Sequence, residues 1–334
     1  MAGRLLPHDR VASCGQKTFS AAVGVHIAEG RAFFQGVETC GSVWHCPVCA
    51  SKIAEKRRVE VGQAIDRHFV DDGMAIMVTF TIPHHAYQRP EDLKKAVSEA
   101  NRKLTMGAPW MRAKQAVGYI GHIRALEVTH GQNGWHPHLH VLYFVKGGRS
   151  QEQLENFRLF LFERWARIID GLGFGTCSIG AFGFEIVERP DEAGMYVTKW
   201  GVESELTKGW IKDAKDGGRS PWQLLKAAND GDQKAARLFQ DYANAFKGTR
   251  QLTWSRGLKK RYKIDEREDD VLASETPSGN LWLGNVEAKA FRVLAKQGRV
   301  VDLLEAAEAG GWLAVEAYLA HHPPPYAPPW SGPS

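Results

Sequence analysis

Long apolar runs are absent from this 334-residue chain, and cysteine is scarce at five residues. The N-terminal MAGRLLPH lacks the apolar core of a secretory signal, and the uncharged stretch from Gly171 to Phe184 is too short and glycine-rich to cross a bilayer. A cytoplasmic protein with no membrane partner is therefore expected. In that compartment five cysteines argue against a disulfide framework and for metal or thiol chemistry. Strong charge of one sign is also lacking. The formal net charge of +5 permits a polyanionic partner without requiring one. A composition 43% hydrophobic and 10% aromatic is that of a globular chain, which removes disorder as the default, and no internal repeat is found.

The few cysteines are placed unevenly, with four in the first fifty residues. Cys46-Pro-Val-Cys49 is half of a zinc knuckle, and Cys40 with Cys14 would complete a closed four-cysteine structural zinc site. His45 is an alternative to Cys14 as fourth ligand. Cys177, alone in a glycine-rich loop, reads as a small core residue. After the cysteines, Ala50 to about Phe69 reads as a basic helix. Charge also changes sign along the chain. Residues 199–265 carry 15 Lys/Arg against 8 Asp/Glu, a net of +7, whereas residues 266–334 carry 5 against 10, a net of −5. This divides the chain into a cysteine-rich module with its basic helix (residues 1–69), a central domain with a basic extension (70–265), an acidic linker with a helical segment (266–320) and a proline-rich disordered tail (321–334).

The central domain holds MAIMVTFTI (Met74–Ile82) as a buried strand and Pro90–Met106 as an amphipathic helix. GYIGHIRALEVTH (Gly118–His130) and GWHPHLHVLYFV (Gly134–Val145) read as antiparallel strands joined at GQNG. Ser150–Ile169 is helical in pattern, FGFEIVE (Phe182–Glu188) is another strand, and Arg189–Trp200 opens a helix. Strands near hairpin distance favour an α+β fold with an antiparallel central sheet and flanking helices. In GWHPHLHVLYFV the strand period puts His136, His138 and His140 on one face. Glu127, on the preceding strand, comes opposite this row within a residue or two of register. Two imidazoles and a carboxylate on adjacent strands would make a three-ligand metal site with open positions. His136 is the least certain member. A register shift by one residue would turn Glu127 away and leave His122, His130 and His136 as substitutes.

A second constellation is EAGMYVTK, where Glu192, Tyr196 and Lys199 share one helix face at i, i+4 and i+7. Tyrosine is a poor nucleophile at its ordinary pKa near 10 and needs a neighbouring cation or a metal-bound substrate to react. The basic residues between Lys199 and Lys263, interleaved with Trp200, Trp210, Trp222 and Trp254, could give phosphate contacts and stacking faces.

Taken in order, CGSVWHCPVCASKI, VTFTIPHH, ALEVTHGQNGWHPHLHVL, GMYVTKW and FKGTRQLTWSRGLKKRY resemble the HUH endonucleases, and among them the rolling-circle replication initiators of bacterial, notably actinobacterial, plasmids. The resemblance spans residues 40–263. It implies the HUH fold, with His138, His140 and Glu127 holding Mg2+ or Mn2+. Tyr196 is then the nucleophile that leaves a 5′-phosphotyrosyl link and a free 3′-OH. Glu192 matches the carboxylate that activates water at termination, and Lys199 the lysine that positions the phosphate or tyrosinate. No second tyrosine lies within a helical turn of Tyr196, which favours the water route. The implied partners are plasmid origin DNA, double-stranded at the origin and single-stranded at the nick, with a host helicase and polymerase. Competing classes are a transposase of the same chemistry, a zinc-dependent hydrolase in which Tyr196 is incidental, and a non-catalytic zinc-containing DNA-binding protein. Only tyrosine chemistry leaves a covalent protein–DNA adduct.

Overall fold

A computed structural model describes residues 1–187 and 218–322, and these form two compact units. Strands are numbered along the chain. The smaller unit comprises residues 2–42 and those from Asp269 onward. Its antiparallel sheet has the order β2-β1-β8, with β1 at Ala22–Ala28, β2 at Arg31–Gln35 and β8 at Leu281–Glu287. Glu29 and Gly30, both at positive φ, make the two-residue turn between β1 and β2, the geometry that suits strand twist. Val23, Val25 and Val286 pack with Phe291, Leu294, Leu303 and Val315 from the helical segments Ala288–Lys296 and Val300–His321. Gly284 is required here, because a Cβ at that position would fall 2.4 Å from the Trp312 ring.

This division differs from the partition expected from charge. The segment taken as linker plus helices supplies β8 to the N-terminal hairpin, and backbone pairing between distant strands leaves no charge signature. Two helices do follow in that segment, as expected. The Pro-rich tail falls on residues 323–334, outside the described residues.

The larger unit is an α+β body around a five-stranded antiparallel sheet in the order β6-β3-β5-β4-β7. Its strands are β3 (Gly73–Phe80), β4 (Tyr119–Gly131), β5 (Gly134–Lys146), β6 (Gly183–Val187) and β7 (Leu252–Trp254). The principal helices are α1 (Pro47–Val70), α2 (Pro90–Leu104), α3 (Gly107–Ala116), α4 (Gln151–Gly171), α5 (Pro221–Asn229) and α6 (Gln233–Phe246). Helix α1 starts with proline at its first turn, and α4 with a Ser150/Gln153 capping box, so local sequence sets where each helix begins.

β5 is central, and from Val141 to Val145 every residue is buried because both sheet faces are covered. On one face Leu142 and Phe144 meet Val61, Ala64 and Ile65 of α1, together with Leu258 and Tyr262. On the other, Tyr143 packs edge-on to Phe157 of α4, and Phe80 lies 4.7 Å from Trp165. Trp222 is buried near Phe239 and is a core residue rather than a stacking platform, and Trp254, partly buried, packs against the α1-side core. Cys177 is buried, as expected. Among the described residues no helix is long and apolar enough to cross a membrane.

A buried charge cluster ties α1 to the chain beyond β7. Glu60 accepts from Arg57 at 2.8 Å, from Lys259 at 3.2 Å and from Arg267 at 3.2 Å. The Lys259 side chain is only 4% exposed, and Glu60 is its nearer and buried countercharge, with the exposed Glu266 at 3.8 Å. Glu60→Ala should therefore cost about 3–5 kcal/mol of unfolding free energy in urea titration. Loss of less than about 1 kcal/mol would show that the cluster is solvated.

Candidate metal centre

The β4–β5 hairpin determines the geometry of the site. Its strands pair from Gly131 opposite Gly134 back along both chains, which puts Glu127 directly across from His138 and Ala125 across from His140. Residues 138, 140 and 127 thus share the sheet face that carries Leu142, Phe144 and Ile123 deeper in the core. Gln132 and Asn133 form the two-residue turn, and Gly134 stands at φ 87°, where a Cβ would lie 2.9 Å from Ala86 Cα. The register expected from the sequence is the one present. Of the substitute ligands, His122 bonds to the Tyr119 hydroxyl at 2.7 Å, and His130 is edge-on to Trp135.

The Glu127 Oε2 atom lies 3.2 Å from His138 Nε2 and 3.3 Å from His140 Nε2, and the three side chains are 25%, 14% and 21% exposed. One ligand atom from each residue lies within 4.8 Å of the others. The outer nitrogens explain why the inner ones point inward. His138 Nδ1 donates to the His136 carbonyl at 3.4 Å, which can only accept, so in the neutral ring the Nε2 lone pair faces Glu127. His140 Nδ1 is held at 3.0 Å by Thr79 Oγ1, from the adjacent position on β3. A metal-ligating histidine shows this arrangement, with one nitrogen fixed by an outer partner and the other directed at the ligand cluster.

Two features of the site suit a cation. Lone pairs on two imidazoles and a carboxylate repel one another unless a proton or metal ion lies between them. In addition, Glu127 Oε1 is buried and has no hydrogen-bond partner, an uncompensated acceptor in a protein interior. Burial alone would raise the Glu127 pKa, but His140 and His138 outweigh it and hold the carboxyl well below the usual carboxylate range. The donor set therefore fits a divalent ion. Hard Mg2+ or Mn2+ suits the carboxylate, with the imidazoles favouring Mn2+.

His136, the doubtful member of the row, turns to a different partner. Its ring stacks on His84 at 4.7 Å, and burial, followed by His138 and His84, depresses its pKa to about 4. It is neutral near pH 7 and sits beside the ligand pair without completing it. Sequence reasoning missed Thr79 and His84 as site residues. VTFTIPHH offered the signal, since Thr79 has the strand parity of Met77, but the pairing of β3 with β5 is long-range.

Helix α1 begins at Cys46, whose Sγ accepts from the Cys49 amide at 3.5 Å, with both residues buried. In the smaller unit the Cys14 Sγ accepts from the Cys40 amide at 3.4 Å. Amide donors directed at sulfur favour thiolates, so each pair is prepared for a soft cation, and none of these cysteines forms a disulfide. His45, the alternative ligand, directs Nε2 to the Ala243 carbonyl at 2.9 Å. Tyr196, Glu192 and Lys199 lie outside the described residues, as do Trp200 and Trp210.

Residues 31–168, which include Glu127, His138 and His140, match the family model described as replication protein. A protein named Protein rep from Streptomyces lividans is 26% identical over an alignment of 361 residues that covers 86% of this chain and 79% of that protein. Neomycin resistance protein from Streptomyces cyanogenus is 34% identical over 165 residues, covering 42% of this chain and 38% of that one. Protein rep from Streptococcus pneumoniae is 27% identical over 127 residues, covering 37% and 38%. No solved structure matches the chain. The segment that carries the metal-ready hairpin is thus similar to replication proteins, and the relatives named Protein rep support a plasmid Rep initiator.

Glu127→Gln should abolish saturable Mn2+ binding followed by electron paramagnetic resonance. Thr79→Val, which removes only the outer partner of His140, should weaken it about 10–100-fold. Equal affinity in wild type and Glu127→Gln would place the metal elsewhere.

Proposed function

We propose that this chain initiates plasmid rolling-circle replication by nicking one origin strand and later resealing it. The observation that carries this reading is the convergence of Glu127, His138 and His140 around an unpartnered buried carboxylate oxygen, on the segment that matches the replication-protein family. A bound Mg2+ or Mn2+, held by those three residues, would supply Lewis-acid polarisation of a non-bridging phosphate oxygen. His140 is oriented by Thr79 and His138 by the His136 carbonyl, so the ligand face is preformed before DNA arrives.

In this reading the Tyr196 phenolate oxygen attacks the scissile phosphorus. The P–O3′ bond breaks, the strand leaves with a free 3′-OH, and the 5′ phosphate is carried on tyrosine. Lys199 neutralises the tyrosinate and the phosphate as they approach. Because the phosphotyrosyl ester conserves the energy of the cut bond, a later 3′-OH can displace Tyr196 and close the strand without ATP. Glu192 takes a proton from water in the alternative release step, in which hydroxide displaces Tyr196 and leaves a 5′-phosphate. Zn2+ on Cys14, Cys40, Cys46 and Cys49 is the structural metal of this proposal, supported by the amide donors on Cys14 and Cys46. The partners are double-stranded origin DNA, its single-stranded nick site, and a host helicase and polymerase, all in the cytoplasm.

The test is incubation with single-stranded oligonucleotides from plasmid origins in Mn2+ or EDTA, resolved on a denaturing gel. A covalent protein–DNA band is expected in Mn2+, lost in EDTA and lost in Tyr196→Phe. Cleavage with no covalent band would replace this reading with a metal-dependent hydrolase, and intact oligonucleotide throughout would leave a DNA-binding protein without this chemistry.

A further inference from the structure

Carboxylates are nearly absent from the middle of the chain. From Ala100 to Gln151 Glu127 is the only one, among seven Lys/Arg. On the helices around this stretch several arginines are matched by an acidic neighbour three residues away, namely Arg89–Asp92, Arg102–Glu99 and Arg158–Glu155. Helix α3 offers no such neighbour. Its sequence GAPWMRAKQA carries Arg112 and Lys114 and no acid. Among the described residues neither cation is paired with a carboxylate, whereas Lys114 Nζ lies 6.0 Å over the Tyr119 ring.

These side chains line a groove of about 730 Å³ formed by Ala108, Met111, Arg112, Lys114, Gln115 and Tyr119. The groove is built on a fixed element. Trp110 is buried and packs edge-on to Tyr119 at 5.4 Å, so the opposite side of α3, with Met111, Arg112 and Gln115, is turned to solvent. An adjoining cation continues the charge: Lys146 runs against Gly118, where a Cβ would meet its side chain at 3.1 Å.

We propose that this groove binds the phosphodiester backbone of duplex DNA, an anchoring contact separate from the metal centre. The proposal rests on the nicking reading for its biological sense but not for its chemistry. The charged groups of the lining are both cations, Arg112 and Lys114, beside the Gln115 amide and with no acid, which favours a polyanion. Tyr119 is half-buried with its hydroxyl bonded to His122, so no exposed aromatic platform is offered to unstacked bases, and backbone contact with a duplex is favoured over single-strand stacking. Tyr119 and Glu127 pair with Val145 and His138, seven residues apart on β5, about 24 Å at strand rise. A duplex seated here is held well away from the strand at the metal centre.

The experiment is fluorescence anisotropy of the full chain with a fluorescein-labelled mixed-sequence duplex across a sodium chloride series. Arg112→Gln/Lys114→Gln should weaken binding at least tenfold and make the log–log salt dependence shallower by about 1.8, the loss of two phosphate contacts. Arg89→Gln/Arg158→Gln, which removes two carboxylate-paired arginines, should match wild type. A double groove variant with wild-type affinity and salt slope overturns the proposal, as does displacement of the duplex by phosphatidylserine vesicles or polyglutamate as effectively as by unlabelled duplex. The groove and the nicking reading fail separately. Glu127→Gln should keep the duplex salt slope, and the groove variant should still form the covalent adduct on a short single-stranded oligonucleotide.

Discussion

The cross-strand pair of Glu127 and His138 is the constraint on which the site depends. In an antiparallel pair, a slip of one residue sends every side chain of a strand to the opposite face. Here such a slip would turn the histidines to the face that carries Leu139 and Phe80, away from Glu127. A two-residue turn at Gln132–Asn133 makes the slip difficult, and the close approach of Gly134 to Ala86 adds a steric check. Buried side chains beyond the site reinforce the same register. Leu142 and Phe144 are fully buried on the ligand face, and each contributes on the order of 2–3 kcal/mol only when the register directs it inward.

One sheet face therefore serves two purposes along its length. Toward α1 it is apolar and supplies stability, and past Leu142 and Met77 it becomes Thr79, His140, Glu127 and His138. The second half carries a polar cost, since one buried carboxylate oxygen lacks a partner while two imidazole nitrogens face the other. The packed half tolerates that cost, which is the usual relation between a binding site and the scaffold beneath it. Preorganisation follows, because outer partners rather than the ion determine ring orientation.

How much of this was legible depended on distance along the chain. The hairpin, its face and its register could be read because alternation, the GQNG turn and the histidine row lie within thirty residues. The helices α1, α2 and α4 were legible for the same reason, with caps and apolar periods written locally. Thr79 and His84 were not, because nothing local indicates that β3 lies beside β5. The sheet of the smaller unit was hidden more completely, since β1 and β8 are separated by most of the sequence and LWLGNVE is too short to stand out. Trp222 and Trp254 misled in the opposite direction. Aromatics among basic residues suit stacking on nucleic acid, yet tryptophan is often drawn inward, and here Trp222 is a core residue while Trp254 is partly buried against the α1-side core.

The composition of the ligand set and the charge of its surroundings obey one electrostatic requirement. Additional carboxylates would bind a divalent ion more tightly, but they would cancel its charge and repel a phosphodiester. One glutamate with two neutral imidazoles carries a formal charge of −1, so a divalent ion held there keeps a net positive charge toward phosphate. The same requirement accounts for the absence of any other acid between Ala100 and Gln151. A carboxylate within a Debye length of about 8–10 Å would weaken the attraction that both the metal centre and the α3 groove offer to a polyanion. Glu127 is retained in this stretch because three-point ligation needs it, and the remaining ligands are histidines because they bind metal without adding negative charge.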